Sequence, residues 1–284
     1  MNVLSIQSHV AYGHVGNSAA VFTLQRLGCE VWPVHTVQFS NHTGYGAWKG
    51  EAFSAGAIGD VVDGIAARGV LGSCDAVLSG YVGSVETGAA ILGAVAKVTA
   101  ANPDAAYCCD PVIGNRARGV FVHPELCEFF RDRAVPAARI VTPNHFELDR
   151  LAGRDTTSVT DVLAAIDALH ARGPRVILVT SVAADETPEG HVDIVASDGA
   201  AQFLVRTPKL ATPANGAGDV IAALFLYHYL RSGAVAEALA RATSGVFGLL
   251  RRTLAAGTPE LALIAGQDEL VTPSELFVPQ RIGR

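Results

Sequence analysis

Asn215-Gly216-Ala217-Gly218-Asp219 runs straight into Val220-Ile221-Ala222-Ala223-Leu224-Phe225-Leu226, a glycine turn feeding an apolar helix. Two glycines let successive backbone N–H groups face inward, and a helix starting just after them adds the positive end of its dipole. A carboxylate at the mouth of such an anion-binding loop repels the anion unless it has a chemical task. The task that fits is to accept a proton from a hydroxyl attacking a phosphoryl group held by the loop. Asp219 is then the base of a small-molecule kinase, with Gly216, Ala217 and Gly218 as donors to the moving phosphoryl oxygens. The competing reading is an ordinary helix with an Asp in its first turn.

Upstream, short β-rich runs alternate with longer helical patterns. Residues 3–7, 31–37, 76–78, 106–110, 140–142 and 176–180 read as strands. Residues 17–27, 86–100 and 159–171 read as helices between them, with 220–230 and 235–250 as two apolar helices near the end. Residues 192–196 and 202–205 flank Ser197-Asp198-Gly199 and read as a hairpin, because Asp-Gly supplies the tight turn. This alternation predicts an α/β fold: a central, mostly parallel sheet covered on both faces by helices. The ligand crevice is then expected at the carboxyl ends of the strands. Residues 38–58, rich in Gly, Ser, His and aromatics, read as a loop lining that crevice. With no internal repeat or long linker, one domain over residues 1–284 is the expectation.

Half the 284 residues are hydrophobic and 17% are charged, so a large core is available and global disorder is excluded. A net charge of −6 argues against a nucleic-acid partner, which demands a basic face. It leaves phosphate ligands open, since backbone donors bind an anion inside an acidic protein. Cys29, Cys74, Cys108, Cys109 and Cys127 form no C-x-x-C pair and read as free thiols, mostly buried. The first residues lack a basic, long-apolar leader, and no uncharged run reaches membrane-spanning length. A soluble, cytoplasmic protein is expected.

Other segments place polar residues just past strands. Cys109-Asp110-Pro111-Val112 puts a carboxylate beyond one strand, and Thr142-Pro143-Asn144-His145-Phe146-Glu147 follows the next. Asn144 and Glu147 share a face of an opening helical turn, where an oxygen from each suits hydrated Mg²⁺. The alternative is a capping pair at a helix start. His9, His14, His42 and His145 are scattered, without zinc-ligand spacing.

Four blocks then carry a resemblance: Ser8-His9-Val10-Ala11-Tyr12-Gly13-His14-Val15-Gly16-Asn17, Val37-Gln38-Phe39-Ser40-Asn41-His42-Thr43-Gly44-Tyr45, Leu78-Ser79-Gly80-Tyr81-Val82-Gly83-Ser84 and Cys109-Asp110-Pro111-Val112. With Asn144, Glu147 and residues 216–219, the chain resembles the pyridoxal kinases of the ribokinase-like superfamily from about residue 2 to about residue 255. The resemblance implies a three-layer α/β/α sandwich without a separate lid domain. It implies transfer of the ATP γ-phosphate to the 5′-hydroxyl of pyridoxal in vitamin B6 salvage, with Mg²⁺, and a homodimer. Ser8, Thr43 and Gly44 match the family's pyridine contacts, with Val15, His42, Tyr81 and Asp219 in the same pocket. Asp110, Thr142, Glu147 and Thr180 match the nucleotide side, as do Arg206, Thr207, Pro208 and Lys209. Glu147, Asp110 and Asn144 match the metal side.

Two positions depart from the family pattern. Thr180 stands where many relatives have Lys, removing a positive charge from the nucleotide site. Ala217 stands where many pyridoxal kinases have Thr, which removes a hydroxyl but keeps the backbone donors. Two alternatives stay open: a hydroxymethylpyrimidine or sugar kinase on the same fold, and a weakly catalytic pyridoxal-binding protein.

Overall fold

The computed structural model describes residues 1–212 and 215–283. In chain order its elements begin with β1 (Asn2–Val10), α1 (Asn17–Arg26), β2 (Glu30–Phe39), β3 (Gly50–Ala52) and α2 (Ala55–Ala66). β4 (Ala76–Ser79), α3 (Val85–Ala101), β5 (Ala106–Cys109), β6 (Gly114–Asn115) and β7 (Gly119–Val120) follow. α4 (Pro124–Phe129) runs through a π-helical turn (Phe130–Ala134) into α5 (Val135–Ala137). Next come β8 (Ile140–Val141), α6 (His145–Ala152), α7 (Val159–His170), β9 (Val176–Val182), β10 (His191–Ser197) and β11 (Gln202–Pro208). α8 (Ala217–Ser232), α9 (Val235–Ala256), α10 (Asp268–Val271) and β12 (Gln280–Gly283) complete the described chain.

Among the described residues, ten strands form one sheet in the order β12-β11-β10-β9-β8-β5-β4-β1-β2-β3. From β2 to β9 neighbours are parallel, and the antiparallel pairs lie at the two margins. The period-2 geometry of the strands sorts side chains onto two faces. Val3, Ala76, Leu78, Ala106, Cys108, Ile140, Val176 and Leu178 pack with α1, α8 and α9. Leu4, Val77, Tyr107, Cys109, Val141, Ile177 and Val179 pack with α2, α3, α4, α6 and α7. This is the three-layer α/β/α sandwich expected from the sequence. Cys29, Cys74, Cys108 and Cys109 are buried free thiols, and Cys127 is half-buried.

One expectation needs correction. Residues 38–58 are not a loop throughout: β3 pairs antiparallel with the end of β2, and α2 begins at Ala55. Ser54 caps α2 by accepting from the N–H of Ala57, and Ile58 and Val62, one turn apart, are buried. Interleaved glycines at 56, 59 and 64 weaken its helix propensity, so burial rather than intrinsic preference sustains it. Among the described residues, no helix is long and apolar enough to cross a membrane.

The antiparallel margin is fixed by charge. Arg206 on β11 holds the fully buried Asp193 of β10 bidentately, Nε to Oδ1 and Nη2 to Oδ2, both at 2.7 Å. Thr187 Oγ1 donates to Asp193 Oδ2 at 2.8 Å. Removing the guanidinium strands a buried charge. For Arg206→Met we expect unfolding free energy to fall by about 3–5 kcal/mol in denaturant titration. An unchanged midpoint and slope would contradict this role.

Candidate active site

The loops leaving β1, β2, β4, β5, β8 and β9 surround a cavity of about 740 Å³, into which the start of α8 also opens. α8 starts at Ala217, three residues earlier than the apolar run predicts. Its first backbone bond runs from Val220 N–H to the Gly216 carbonyl, so the preceding N–H groups lack helical partners. Gly216 adopts φ 96°, and a Cβ there would lie 1.8 Å from the carbonyl oxygen of His14. The glycine loop before α8 therefore seats directly on the loop after β1. Gly218 is the opposite case: a Cβ meets nothing within 4 Å, because it would enter the cavity.

Asp219 sits in the first turn of α8 at the cavity wall. It is only partly covered from solvent, yet surrounding protein desolvates its carboxyl enough to push its pKa up to about 6. The N–H groups of Gly16 and of Asp219 itself oppose that rise.

Two further carboxylates face the cavity from the strand ends. Asp110, beyond β5, accepts from Thr142 Oγ1 at 2.9 Å. Burial lifts its pKa well above the carboxylate range, and the charges of Glu147 and Asp219 lift it further. Glu147 is pushed to about 7 by burial, although three N–H groups favour its charged form. Its Oε1 accepts from Ile113 and Gly114 at 2.9 and 3.2 Å, and its Oε2 from Asn144 at 2.9 Å.

The Asn144–Glu147 pair forms the capping box at the start of α6. Asn144 Oδ1 accepts from Glu147 N–H at 3.0 Å, and Nδ2 donates to the Gly114 carbonyl at 2.8 Å. Its amide is engaged at both ends, which makes it the residue that positions Glu147 and β6. Asp110 and Glu147 nonetheless suit Mg²⁺ chemically: they are buried oxygen donors whose mutual repulsion a hard divalent cation would reverse.

Of the residues singled out from sequence, Ser8, Val15, His42, Thr43 and Tyr81 line the cavity on the β1, β2 and β4 side. Asp110, Thr142, Asn144, Glu147, Thr180, Thr207, Pro208, Lys209 and residues 216–219 line the remainder. Two stand apart. Gly44 is not among the lining residues and donates its N–H to His42 Nδ1 at 3.0 Å. Arg206 is committed to Asp193 and to the Glu186 carbonyl.

Other lining residues were not anticipated from the sequence. The β6–β7 hairpin brings Arg116, Arg118 and nearby Phe121 to the cavity, and α9 supplies an apolar wall through Val246, Phe247 and Leu250. Asn115-Arg116-Ala117-Arg118-Gly119 reads as a polar turn with Gly at its end, a hairpin signal. Behind Ser8, Asn17 and Ser5 form a buried network, Ser5 Oγ donating to Asn17 Oδ1 at 2.7 Å. His145 belongs to a buried chain in which Nδ1 accepts from Ala183 N–H, while Nε2 meets Thr156 Oγ1 at 2.6 Å.

A family model described as phosphomethylpyrimidine kinase matches residues 62–262. Pyridoxal kinase PdxY of Granulibacter bethesdensis is 55% identical over 284 residues, covering 99% of each chain. The chain belongs to the pyridoxal kinase family. Pyridoxal kinase PdxY of Deinococcus radiodurans is 53% identical over 287 residues, covering 99% of this chain and 96% of the relative. The solved structure of pyridoxal kinase from Leishmania donovani in complex with ADP and pyridoxamine superposes with a TM-score of 0.91 at 28% identity, covering 99% of each chain.

The two loop glycines of this kinase should respond differently to a methyl group. Gly218→Ala should fold normally and lose about 10²–10³-fold in turnover, because the methyl occupies space for the phosphoryl group. Gly216→Ala should lower the melting temperature as well, since the His14 carbonyl must move. Equal thermal stabilities for the two variants would contradict the packing described.

Proposed function

We propose that this chain transfers the γ-phosphate of ATP to the 5′-hydroxyl of pyridoxal, giving pyridoxal 5′-phosphate, as in vitamin B6 salvage. The observation that carries this reading is the meeting of Asp219 and the anion loop with the Ser8, His42, Thr43 and Tyr81 wall in one cavity. An alcohol is too weak an acid to ionise at neutral pH, so Asp219 accepts its proton as the bond to phosphorus forms. N–H groups of residues 216–218 hold the phosphoryl oxygens as charge shifts onto them. Thr180, Thr207, Pro208 and Lys209 bound the nucleotide side. Asp110 and Glu147 would hold Mg²⁺, which when bound neutralises the phosphate oxygens. A cytoplasmic homodimer completes the reading. Sedimentation at micromolar concentration tests the assembly.

The second reading keeps the fold and changes the acceptor to hydroxymethylpyrimidine, a pyrimidine acceptor class in keeping with the phosphomethylpyrimidine kinase description of the family model. Parallel phosphorylation of pyridoxal, pyridoxamine, pyridoxine and hydroxymethylpyrimidine with ATP and Mg²⁺ separates the two. A dominant rate on hydroxymethylpyrimidine would end the pyridoxal reading. Binding of pyridoxal without ATP consumption would instead mark a vitamin-holding protein.

Asp219→Asn should lower kcat by about 10²–10⁴-fold with little change in pyridoxal affinity. The base must be ionised, so kcat/KM should rise with pH through about 6 in the wild type. That limb should vanish in the variant, and a limb surviving there would assign it to another group.

The ligand-free protein should show the linked effect on stability. Asp110, Glu147 and Asp219 all have raised pKa values, so the folded state binds protons more tightly than the unfolded one. Their stabilising contribution is complete below the ordinary carboxylate range; the Asp219 part is lost as pH rises through about 6, the Glu147 part through about 7, and the Asp110 part through its own raised pKa. Added Mg²⁺ should therefore raise the melting temperature more at pH 8 than at pH 5.5. A metal effect independent of pH would contradict a site at these carboxylates.

A further inference from the structure

In this reading the polyanion ATP enters a cavity walled by three carboxylates, and Thr180 offers no charge. The geometry points to Arg118 as a catalytic residue, its guanidinium stabilising the phosphoryl group in flight between ATP and the acceptor hydroxyl. This rests on the kinase reading above.

Placement carries the inference. Arg118 lies on the β6–β7 turn, where Asn115 Oδ1 accepts from the N–H groups of Ala117 and Arg118 at 3.1 and 2.9 Å. Its Nη2 donates to Asn215 Oδ1 at 3.1 Å, the residue that opens the anion loop. Its Nη1 would lie 3.2 Å from a Cβ on Gly44, which places the same guanidinium against the acceptor loop. Its charge also helps hold the His42 imidazole below its ordinary pKa, after burial. The Phe121 ring lies 5.9 Å from the guanidinium carbon and flanks it. One side chain thus spans the loop that grips phosphate and the loop that faces the alcohol.

The two other arginine or lysine side chains at the cavity are placed differently. Arg116 turns toward His145 Nε2 at 3.3 Å, the Ala183 carbonyl at 3.5 Å and Asp149 at 4.0 Å. Lys209 follows β11 on the nucleotide side.

In the step, the acceptor oxygen bonds to the γ-phosphorus while the bond from that phosphorus to the β,γ-bridging oxygen breaks. The electron pair leaves with ADP, and the hydroxyl proton passes to Asp219. Negative charge gathers on the transferring group and the bridging oxygen, where a planar guanidinium with several N–H donors is most effective.

The test is single-turnover phosphorylation of pyridoxal by Arg118→Met, Arg118→Lys and Arg118→Ala, with melting temperatures and equilibrium binding of pyridoxal and ATP measured alongside. We expect Arg118→Met to fold as the wild type, bind both ligands normally and slow the chemical step by about 10²–10³-fold. Arg118→Lys should recover part of that loss, and millimolar guanidinium should accelerate Arg118→Ala in a saturable way. An unchanged single-turnover rate would overturn the assignment. So would a loss seen only in ligand affinity, or a rate loss that neither lysine nor guanidinium restores. Turnover by the wild type with an unaffected Arg118→Met removes the role of Arg118 and leaves the kinase standing; an inactive wild type removes both.

Discussion

Asp110, Glu147 and Asp219 arrive from three different connections yet share one cavity, and their mutual repulsion is what the surrounding structure must answer. Burying an ionised carboxylate without a partner is among the costliest arrangements a fold can carry. Part of the answer is protein: Glu147 collects three backbone N–H groups, Asp110 a threonine hydroxyl, and Asp219 the N–H of Gly16. These donors leave two of the carboxyls with pKa values of about 7 and about 6. The site therefore keeps a deficit that cationic ligands relieve on binding. Stability set aside at a functional site in this way is a common exchange for preorganised charge.

Topology explains why the carboxylates meet at all. Parallel neighbours from β2 to β9 send their carboxyl ends to one edge, and the connections there wall the crevice. The last connection is the exception, since α8 follows the antiparallel β10–β11 arm. It is brought back by contact with the first connection. Gly216 meets the His14 carbonyl so closely that only a hydrogen fits, and Gly16 in turn leaves no room for a side chain against Ser8. Two glycines of unusual φ thus bind the chemical end of the site to the substrate end.

Much of this was legible in the sequence. The six parallel strands, the Asp-Gly hairpin and the anion loop follow from period-2 apolar runs and glycine chemistry, which are local. Asp110, Thr142, Glu147 and Asp219 were legible because each lies just past a strand or a glycine turn. What escaped depends on distant partners. α2 is glycine-interrupted and held by burial, so its composition suggested a loop. Arg206 sits in the same short segment as Thr207 and Lys209, but strand alternation turns it toward Asp193, and only the β10–β11 register reveals that. Arg118 carries no motif; its meaning comes from Asn215, 97 positions after it, and Gly44, 74 positions before it.

That distribution bears on how the family's charge requirement is met here. With threonine at 180, the end of β9 brings no cation to the cavity. The positive charge near the anion loop comes from a hairpin of two two-residue strands, anchored at its turn by Asn115 and at its tip by Asn215. Electrostatic stabilisation depends on donors being aimed before charge develops, so a cation on a short hairpin works only if those anchors hold it. Both anchors are asparagines, which accept from the arginine's backbone or side chain without cancelling its charge. An aspartate at either place would grip harder and neutralise the group it positions. Neutral acceptors keep Arg118 both oriented and electrostatically available, which is the combination that phosphoryl transfer at this junction requires.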